Sequence, residues 1–201
     1  MSRFIVIEGI DGAGTTTQLS KLLRWLGDRG IDAIGTREPT DRSVGRVIRN
    51  TLQKKPGAPS KDCLPWLFAA DRADHRHSFI NPKLNDGTWV ISDRYYHSSL
   101  AYQSLDLPFD EVLALNSSFP TPDLTLFCKL DFQTALSRIE LRAGHREIFE
   151  TGVILNKVAR QYTVVMDRLR KRGDVIIDID ANQDVEAVFA DIQDAVRMHV
   201  Y

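Results

Sequence analysis

The sequence has few cysteines, no surplus of charge of either sign and no apolar run long enough to cross a membrane. A net charge of -1 argues against a surface that coats nucleic acid, because neutralising many phosphates requires a basic excess. The two cysteines, Cys63 and Cys128, match no metal or redox spacing, so we expect reduced thiols in a cytoplasmic protein. We also expect no membrane partner and no targeting leader, since no segment suits either role.

The pattern of apolar runs predicts an α/β fold with a five-stranded parallel sheet. Short apolar runs alternate with longer stretches of helical periodicity, which is typical of a parallel sheet wrapped by helices, with ligands at the carboxyl ends of the strands. No linker, repeat or low-complexity tract is visible, so we expect a single domain over residues 1–201. The expected strands are 4–7, 31–35, 88–91, 123–128 and 174–179, and the expected helices are 15–29, 41–54, 60–85, 108–117, 131–142, 150–171 and 183–199.

Residues 4–17 read FIVIEGIDGAGTTT, the order of a buried strand, a glycine loop and a helix start. Gly9, Gly14 and Thr16 stand on the spacing of the phosphate-binding P-loop, G-x-x-x-x-G-K-[ST]. The glycines let successive backbone N–H groups converge on an anion, and the helix start adds its positive dipole end. A tight strand-to-helix turn without a ligand is the alternative interpretation. The candidate phosphate-binding residues are Gly9, Asp11, Gly12, Ala13, Gly14, Thr15, Thr16 and Thr17.

One residue departs from the P-loop pattern, because Thr15 stands where the pattern has lysine. The missing ammonium group would make charge-assisted hydrogen bonds to the β and γ phosphates, worth roughly 1.5–3 kcal/mol each. Thr16 retains the hydroxyl that would ligate a magnesium ion. Another cation must therefore replace the lysine, or catalysis is weak.

A second polar segment, residues 90–103, begins as a strand and continues into the run DRYYHSSLAYQ. Asp93, at the expected strand end, could hold a magnesium-bound water, and the planar fork of Arg94 could bridge two phosphates. A purely structural Asp–Arg pair is the alternative. The P-loop pattern earlier in the chain favours the functional interpretation.

Five stretches in order along the chain resemble the thymidylate kinases: EGIDGAG (8–14), TREPT (36–40), LFAADR (67–72), DRY with SSLAYQ (93–95 and 98–103) and PDLTL (122–126). The resemblance implies a P-loop kinase fold with a mobile lid. It also implies transfer of the γ-phosphoryl group of ATP to dTMP, which gives dTDP for dTTP synthesis. ATP, dTMP and Mg²⁺ are the implied ligands, and a homodimer built from helices packed face to face is the implied assembly.

The same resemblance assigns roles in binding dTMP. Phe68 would stack on thymine, and Arg72, four residues later on the same helical face, would donate to thymine O4. Tyr102 would lie beneath the sugar, where a ribose 2′-hydroxyl would clash. The remaining members of the implied set are Asp11 for the 3′-hydroxyl, Ser99 and Gln103 for the base edge, and Arg49 and Arg94 for the phosphate, with Arg37, Glu38 and Arg42 nearby.

Residues 141–147, LRAGHRE, resemble the lid of the bacterial type of this family, in which lid arginines reach over ATP, and we expect a lid over about 142–149. The implied catalytic residues are Asp93, Arg94, Arg142 and Arg146, with Mg²⁺ held by Thr16 and, through water, by Asp93. Our hypothesis is that these arginines carry the charge that Thr15 lacks. Two alternatives stay open: a non-catalytic nucleotide-binding paralogue, acting as a sensor or scaffold, and a kinase for another pyrimidine deoxynucleoside monophosphate such as dUMP.

Overall fold

The computed structural model describes residues 2–141 and 152–200, and one parallel sheet organises them. Each pair of neighbouring strands is parallel. The predicted five-stranded parallel sheet is therefore confirmed, as expected for a P-loop kinase fold. The strands are β1 (Phe4–Gly9), β2 (Ala33–Arg37), β3 (Trp89–Asp93), β4 (Leu124–Lys129) and β5 (Ile176–Asp180), in the spatial order β2-β3-β1-β4-β5.

The register of the sheet brings the polar residues to one edge. β1 is buried throughout, because a parallel strand in the middle of the sheet is covered on both faces. Ile7 pairs with Asp93 and Gly9 pairs with Cys128, so the end of β1 lies beside the ends of β3 and β4. In the strand register, Arg37 at the end of β2 also lies opposite Asp93 of β3. The P-loop and the polar end of β3 are therefore neighbours.

The helices follow the predicted order, with one predicted helix divided. They are α1 (Thr15–Gly27), α2 (Ser43–Leu52), α3 (Leu64–His75), α4 (Asn81–Asn85), α5 (Tyr96–Gln103), α6 (Phe109–Asn116), α7 (Phe132–Glu140), α8 (Gly152–Arg170) and α9 (Val185–His199). The helix expected over 60–85 is instead a 3₁₀ turn at Lys61–Cys63, α3, a π-helical turn at Arg76–Ile80 and α4. Pro65 and Pro82 stand in the first turns of α3 and α4, where a missing N–H costs least.

Helix α5 is missing from the sequence prediction for a physical reason. It is buried along almost its whole length, and only Ser98 is half-buried. A helix without a solvent face shows no amphipathic period, and that period is the signal by which a helix is recognised in a sequence. Because α5 packs against α3, α6 and α8, it carries Ser99, Tyr102 and Gln103 into the interior of the molecule.

The hydrophobic core supports both sides of the site. α1 and α9 contact each other and the sheet, while α5 contacts α8 and β1. A smaller apolar cluster of Ile48, Leu52 and Leu64 joins α2 to α3, with Phe68 packed against it. No described helix is long and apolar enough to cross a membrane.

Candidate functional site

The P-loop forms a cradle at the start of α1. Gly12 and Gly14 have φ angles of +87° and +83°, in the left-handed region that favours glycine. A Cβ at Gly12 would also stand 2.9 Å from the carbonyl oxygen of Ala135, so α7 packs directly on the loop. The first N–H groups of a helix have no partner within that helix, which leaves those of α1 available to an anion.

A cavity of about 340 Å³, here called the donor cavity, opens in front of this loop. Gly9 and Ala13 do not line it, because Gly9 ends β1 and Ala13 is buried. Arg138 and Ile139 of α7 also line the cavity, and the sequence analysis missed both, since no motif marks them. The predicted phosphate-binding residues that line it are Asp11, Gly12, Gly14, Thr15, Thr16 and Thr17.

Thr16 and Asp93 meet in the donor cavity, as the magnesium hypothesis requires. The Thr16 hydroxyl donates to Asp93 Oδ2 at 2.5 Å. Asp93 is 8% exposed, and its Oδ1 is buried with no hydrogen-bond partner among the described residues. An unpartnered carboxylate oxygen beside a hydroxyl fits a hard cation such as Mg²⁺, which takes oxygen ligands from one or two side chains together with phosphates. Within residues 2–141 and 152–200 no cluster of three acidic, histidine or cysteine side chains forms a metal cage.

Arg94 lies between the donor cavity and a second cavity, and its side chain is held in place. Its guanidinium donates to Asp11 Oδ1 at 2.7 Å and to the hydroxyls of Ser98 and Tyr162 at 3.2 Å each. Its φ of +74° is a strained value for a residue with a side chain, and such strain clusters at functional sites. Burial opposes its charge, but Tyr102 and Asp11 hold the pKa of Arg94 well above its ordinary value, so the guanidinium stays charged.

A buried carboxylate supports Arg94 from behind. Glu8 is fully buried in β1, where its Oε2 accepts hydrogen bonds from the hydroxyls of Ser98 at 2.7 Å and Tyr162 at 2.9 Å. Its Oε1 accepts from the backbone N–H of Tyr95 at 2.7 Å. Burial opposes the charge of Glu8, yet His97, Arg94 and the hydrogen bond from Ser98 lower its pKa. The signal that could have revealed this network is a charged residue, Glu8, inside an apolar strand. Nothing in the sequence marks Tyr162 as its partner.

The second cavity, here called the acceptor cavity, contains most of the residues that the resemblance assigned to dTMP. It is narrow, about 70 Å³, and lies between the P-loop, α3 and α5. Asp11 and Arg94 line both cavities. The structure therefore brings together residues from distant parts of the sequence. The assigned residues that line it are Asp11, Glu38, Phe68, Arg72, Arg94, Ser99, Tyr102 and Gln103.

Arg72 is 1% exposed, and protein atoms already hold its guanidinium. Its Nε donates to Glu38 Oε2 at 2.8 Å, its Nη1 to Asn116 Oδ1 at 2.5 Å and its Nη2 to Ser99 Oγ at 3.1 Å. Glu38 Oε1 lies 3.1 Å from His75 Nδ1, so the carboxylate is shared between two helical partners. Asn116 of α6 is a member of this network that the sequence analysis missed. The plane of Arg72 is thus fixed before any ligand arrives.

Three arginines of β2, α2 and the segment between them already have partners within the protein. Arg49 does not line the acceptor cavity, because its guanidinium donates to the carbonyl oxygens of Pro39 and Thr40 and to Asp41. Arg37 likewise pairs with Asp41 at 2.9 Å. Arg42 pairs with Asp74 at 2.6 Å, where both side chains are exposed. The phosphate role of Arg49 stays a prediction.

Arg142, Arg146 and the lid expected over about 142–149 lie outside the described residues. Their assigned roles stay predictions. On the described side of this segment, α7 ends at Glu140 beside the donor cavity, and α8 begins at Gly152.

Comparisons with known proteins identify the family of the chain. A model of the family described as "Thymidylate kinase" matches residues 7–192. The chain is 36% identical to a "Probable thymidylate kinase" of Pyrococcus horikoshii, over 96% of this chain and 95% of that protein. It is 37% identical to a "Probable thymidylate kinase" of Thermococcus gammatolerans, over 100% and 98% of the two chains. It is 36% identical to a "Thymidylate kinase" of Prochlorococcus marinus, over 98% and 94%.

Proposed function

The chain belongs to the thymidylate kinase family and is an enzyme that phosphorylates dTMP to dTDP with ATP, and we propose that its two cavities hold these two substrates. The observation that carries the proposal is the pair of side chains that the cavities share, Asp11 and Arg94. A triphosphate on the P-loop and a monophosphate in the acceptor cavity would meet at this pair. Such a meeting point allows in-line transfer of a phosphoryl group between two held substrates.

The acceptor cavity suits a thymine base. Arg72 keeps N–H groups beyond the three that its protein partners use, so it retains a donor for thymine O4. Cytosine presents an N–H₂ donor at that position, and two opposed donors would reject it. Phe68 supplies an aromatic face four residues before Arg72 on the same helix. Ser99 and Gln103, one turn apart on α5, complete the polar edge.

Catalysis by this site rests on position and charge rather than on a general base. The second pKa of a phosphate monoester is about 6, so the acceptor is largely a dianion at neutral pH and needs no proton removed. Arg94 is charged and anchored, and its planar fork faces both cavities. In our proposal it bridges the transferring and accepting phosphates and stabilises the charge of the transition state. Asp11 orients Arg94 and accepts the 3′-hydroxyl of dTMP.

The family generally needs a divalent metal, and we propose that Mg²⁺ is that metal here. Thr16 and Asp93 would hold it, directly and through water respectively. When bound, the ion would neutralise charge between the terminal phosphates. The unpartnered Oδ1 of Asp93 supports this assignment, because it supplies an acceptor that no described residue uses.

Assembly and location are further proposals. We propose a homodimer of helices packed face to face, which the resemblance implies and the 56% exposed Trp66 of α3 supports. Sedimentation at micromolar concentration would test it, and a monomer would contradict it. We propose a cytoplasmic location because Cys63 and Cys128 form no disulfide.

A coupled assay of ATP consumption with dTMP, dUMP and dCMP tests the function. We expect turnover of at least about one per second with dTMP, slower turnover with dUMP and least with dCMP. Calorimetric titration of dTMP into the same preparation is the matched control for a folded acceptor site. Binding of dTMP without turnover would contradict the kinase and favour the sensor. Neither alternative function is supported by the known relatives.

A further inference from the structure

We propose that Arg138 supplies the positive charge on the donor phosphates that a P-loop lysine would supply and Thr15 cannot. The proposal rests on the proposed donor site and names a residue that neither the P-loop motif nor the lid resemblance identified. Arg94 and Arg138 are the two charged cationic side chains among the described residues that line the donor cavity. Thr15 also lines it, but its side chain is neutral and only 8% exposed.

Arg138 is held against the P-loop by the packing of α7. Asp131 caps this helix by accepting hydrogen bonds from the N–H groups of Gln133 and Thr134. One turn later, the carbonyl of Ala135 packs so close to Gly12 that no Cβ fits between them. Arg138 stands one turn nearer the end of the helix, and its Nη1 lies 3.4 Å from the carbonyl oxygen of Gly12. The guanidinium is therefore beside the loop that cradles the phosphates.

The two arginines differ in how much of their hydrogen-bonding capacity is already used. Arg94 is committed to Asp11, Ser98 and Tyr162. Arg138 is half-buried and, in the described part of the chain, pairs with no carboxylate and makes only the long contact to Gly12. A guanidinium with most of its N–H groups unused is suited to bidentate binding of phosphate oxygens. Arg138 is thus the cation in this cavity that a triphosphate can recruit without breaking an ion pair within those residues.

This assignment predicts how Arg138→Ala will separate the two substrates. The Michaelis constant for ATP should rise and kcat should fall, with kcat/KM for ATP lower by about 10²-fold, the loss expected when one charged donor on a transferring group is removed. The Michaelis constant for dTMP should change less than about twofold. Arg24→Ala, on the exposed face of α1 and outside both cavities, is the matched control and should change neither constant.

A lysine at position 15 provides the direct test of substitution. If Arg138 takes the place of the lysine, Thr15→Lys should restore most of the activity of the Arg138→Ala variant while adding little to the parent protein. The proposal would be overturned if Arg138→Ala loses activity and the folded double variant Thr15→Lys/Arg138→Ala does not regain it. Unchanged kinetics in Arg138→Ala would overturn it as well.

Calorimetry gives a second readout that does not depend on the buried position 15. In Arg138→Ala the affinity for ATP should fall at least about tenfold, or about 1.4 kcal/mol, while the affinity for adenosine should be unchanged. Equal losses of affinity for ATP and adenosine would indicate that Arg138 contacts the adenosine part of ATP, and this would overturn the proposal. Retained dTMP binding shows that the variant is folded. If the parent protein turned over no dTMP, the proposed function itself would fail. If instead the parent protein and Arg138→Ala both turned over dTMP at the same rate, only the role of Arg138 would fail.

Discussion

The acceptor cavity and the donor cavity differ in how fully their polar walls are already bonded. In the acceptor cavity, Arg72 is fixed by Glu38, Asn116 and Ser99, and it is almost entirely buried. In the donor cavity, Asp93 Oδ1 has no described partner and Arg138 has one long contact to Gly12. In our proposal, the groups that select the base are therefore preorganised, whereas the groups that bind the triphosphate acquire their partners when it binds.

The volumes of the two cavities show the same difference. The donor cavity measures about 340 Å³, while the acceptor cavity measures about 70 Å³. Ligand cavities usually span roughly 300–1,000 Å³. If dTMP binds in the acceptor cavity, as we propose, the walls that carry Phe68 and Tyr102 move apart to admit it. Preorganised polar groups in a narrow cavity favour selectivity at some cost in affinity.

The largest effect is expected where the two cavities meet, at Arg94. Replacing Arg94 with alanine should lower kcat by about 10³-fold, because the shared charge and its bidentate geometry are both lost. Arg94→Lys keeps the charge without the planar fork and should recover only part of the loss. Steady-state kinetics with both substrates saturating would measure this. A loss below about tenfold in Arg94→Ala would show that the shared side chain does not bridge the phosphates.

The second prediction tests how much the hydrogen bonds and ion pair of Arg72, in the acceptor cavity, contribute to the stability of the fold. Arg72→Ala should lower the free energy of unfolding by about 3–5 kcal/mol, since it leaves Glu38 buried without its arginine. Arg42→Ala removes an exposed arginine from Asp74 and is the matched control, with little change expected. Chemical denaturation measures both. Similar small losses in the two variants would mean that the buried network contributes no more than a surface ion pair.

The sequence predicted the sheet and the P-loop well because their signals are local. The apolar run of β1 and the glycines of the loop lie within a few residues of one another, so the order strand, loop and helix is visible in a short window. It predicted α5 poorly because burial on all sides removes the helical period. The sequence did not predict three residues of the site, Asn116, Arg138 and Tyr162. Each lies on a helix far along the chain from the P-loop and belongs to no recognised motif.

The third prediction concerns Glu8, which anchors the strand end between the cavities. Because its pKa is below the ordinary value of 4.5 in the folded protein, its charge stabilises the fold at neutral pH, and this contribution is lost as the pH falls through the folded pKa. Glu8→Gln should therefore lower the free energy of unfolding by about 1.5–3 kcal/mol at pH 7. The difference in free energy of unfolding between the parent protein and Glu8→Gln should be constant above pH 4.5 and should decrease below it. Denaturation at a series of pH values measures it, and a gap that widens on acidification would contradict the assignment.

The smallest effect is expected from one hydroxyl in the acceptor cavity. The Tyr102 hydroxyl donates to Asp11 Oδ2 at 3.1 Å, and burial raises the pKa of Tyr102, so the group stays a donor. Tyr102→Phe keeps the ring that we propose lies beneath the sugar and removes the hydrogen bond to Asp11, worth about 0.5–1.5 kcal/mol. The Michaelis constant for dTMP should rise about three- to tenfold while kcat changes little. Tyr96→Phe removes a hydroxyl that donates to Asp174 outside both cavities, and it should leave the constant unchanged. Equal changes in the two variants would show that Tyr102 acts through stability rather than through Asp11.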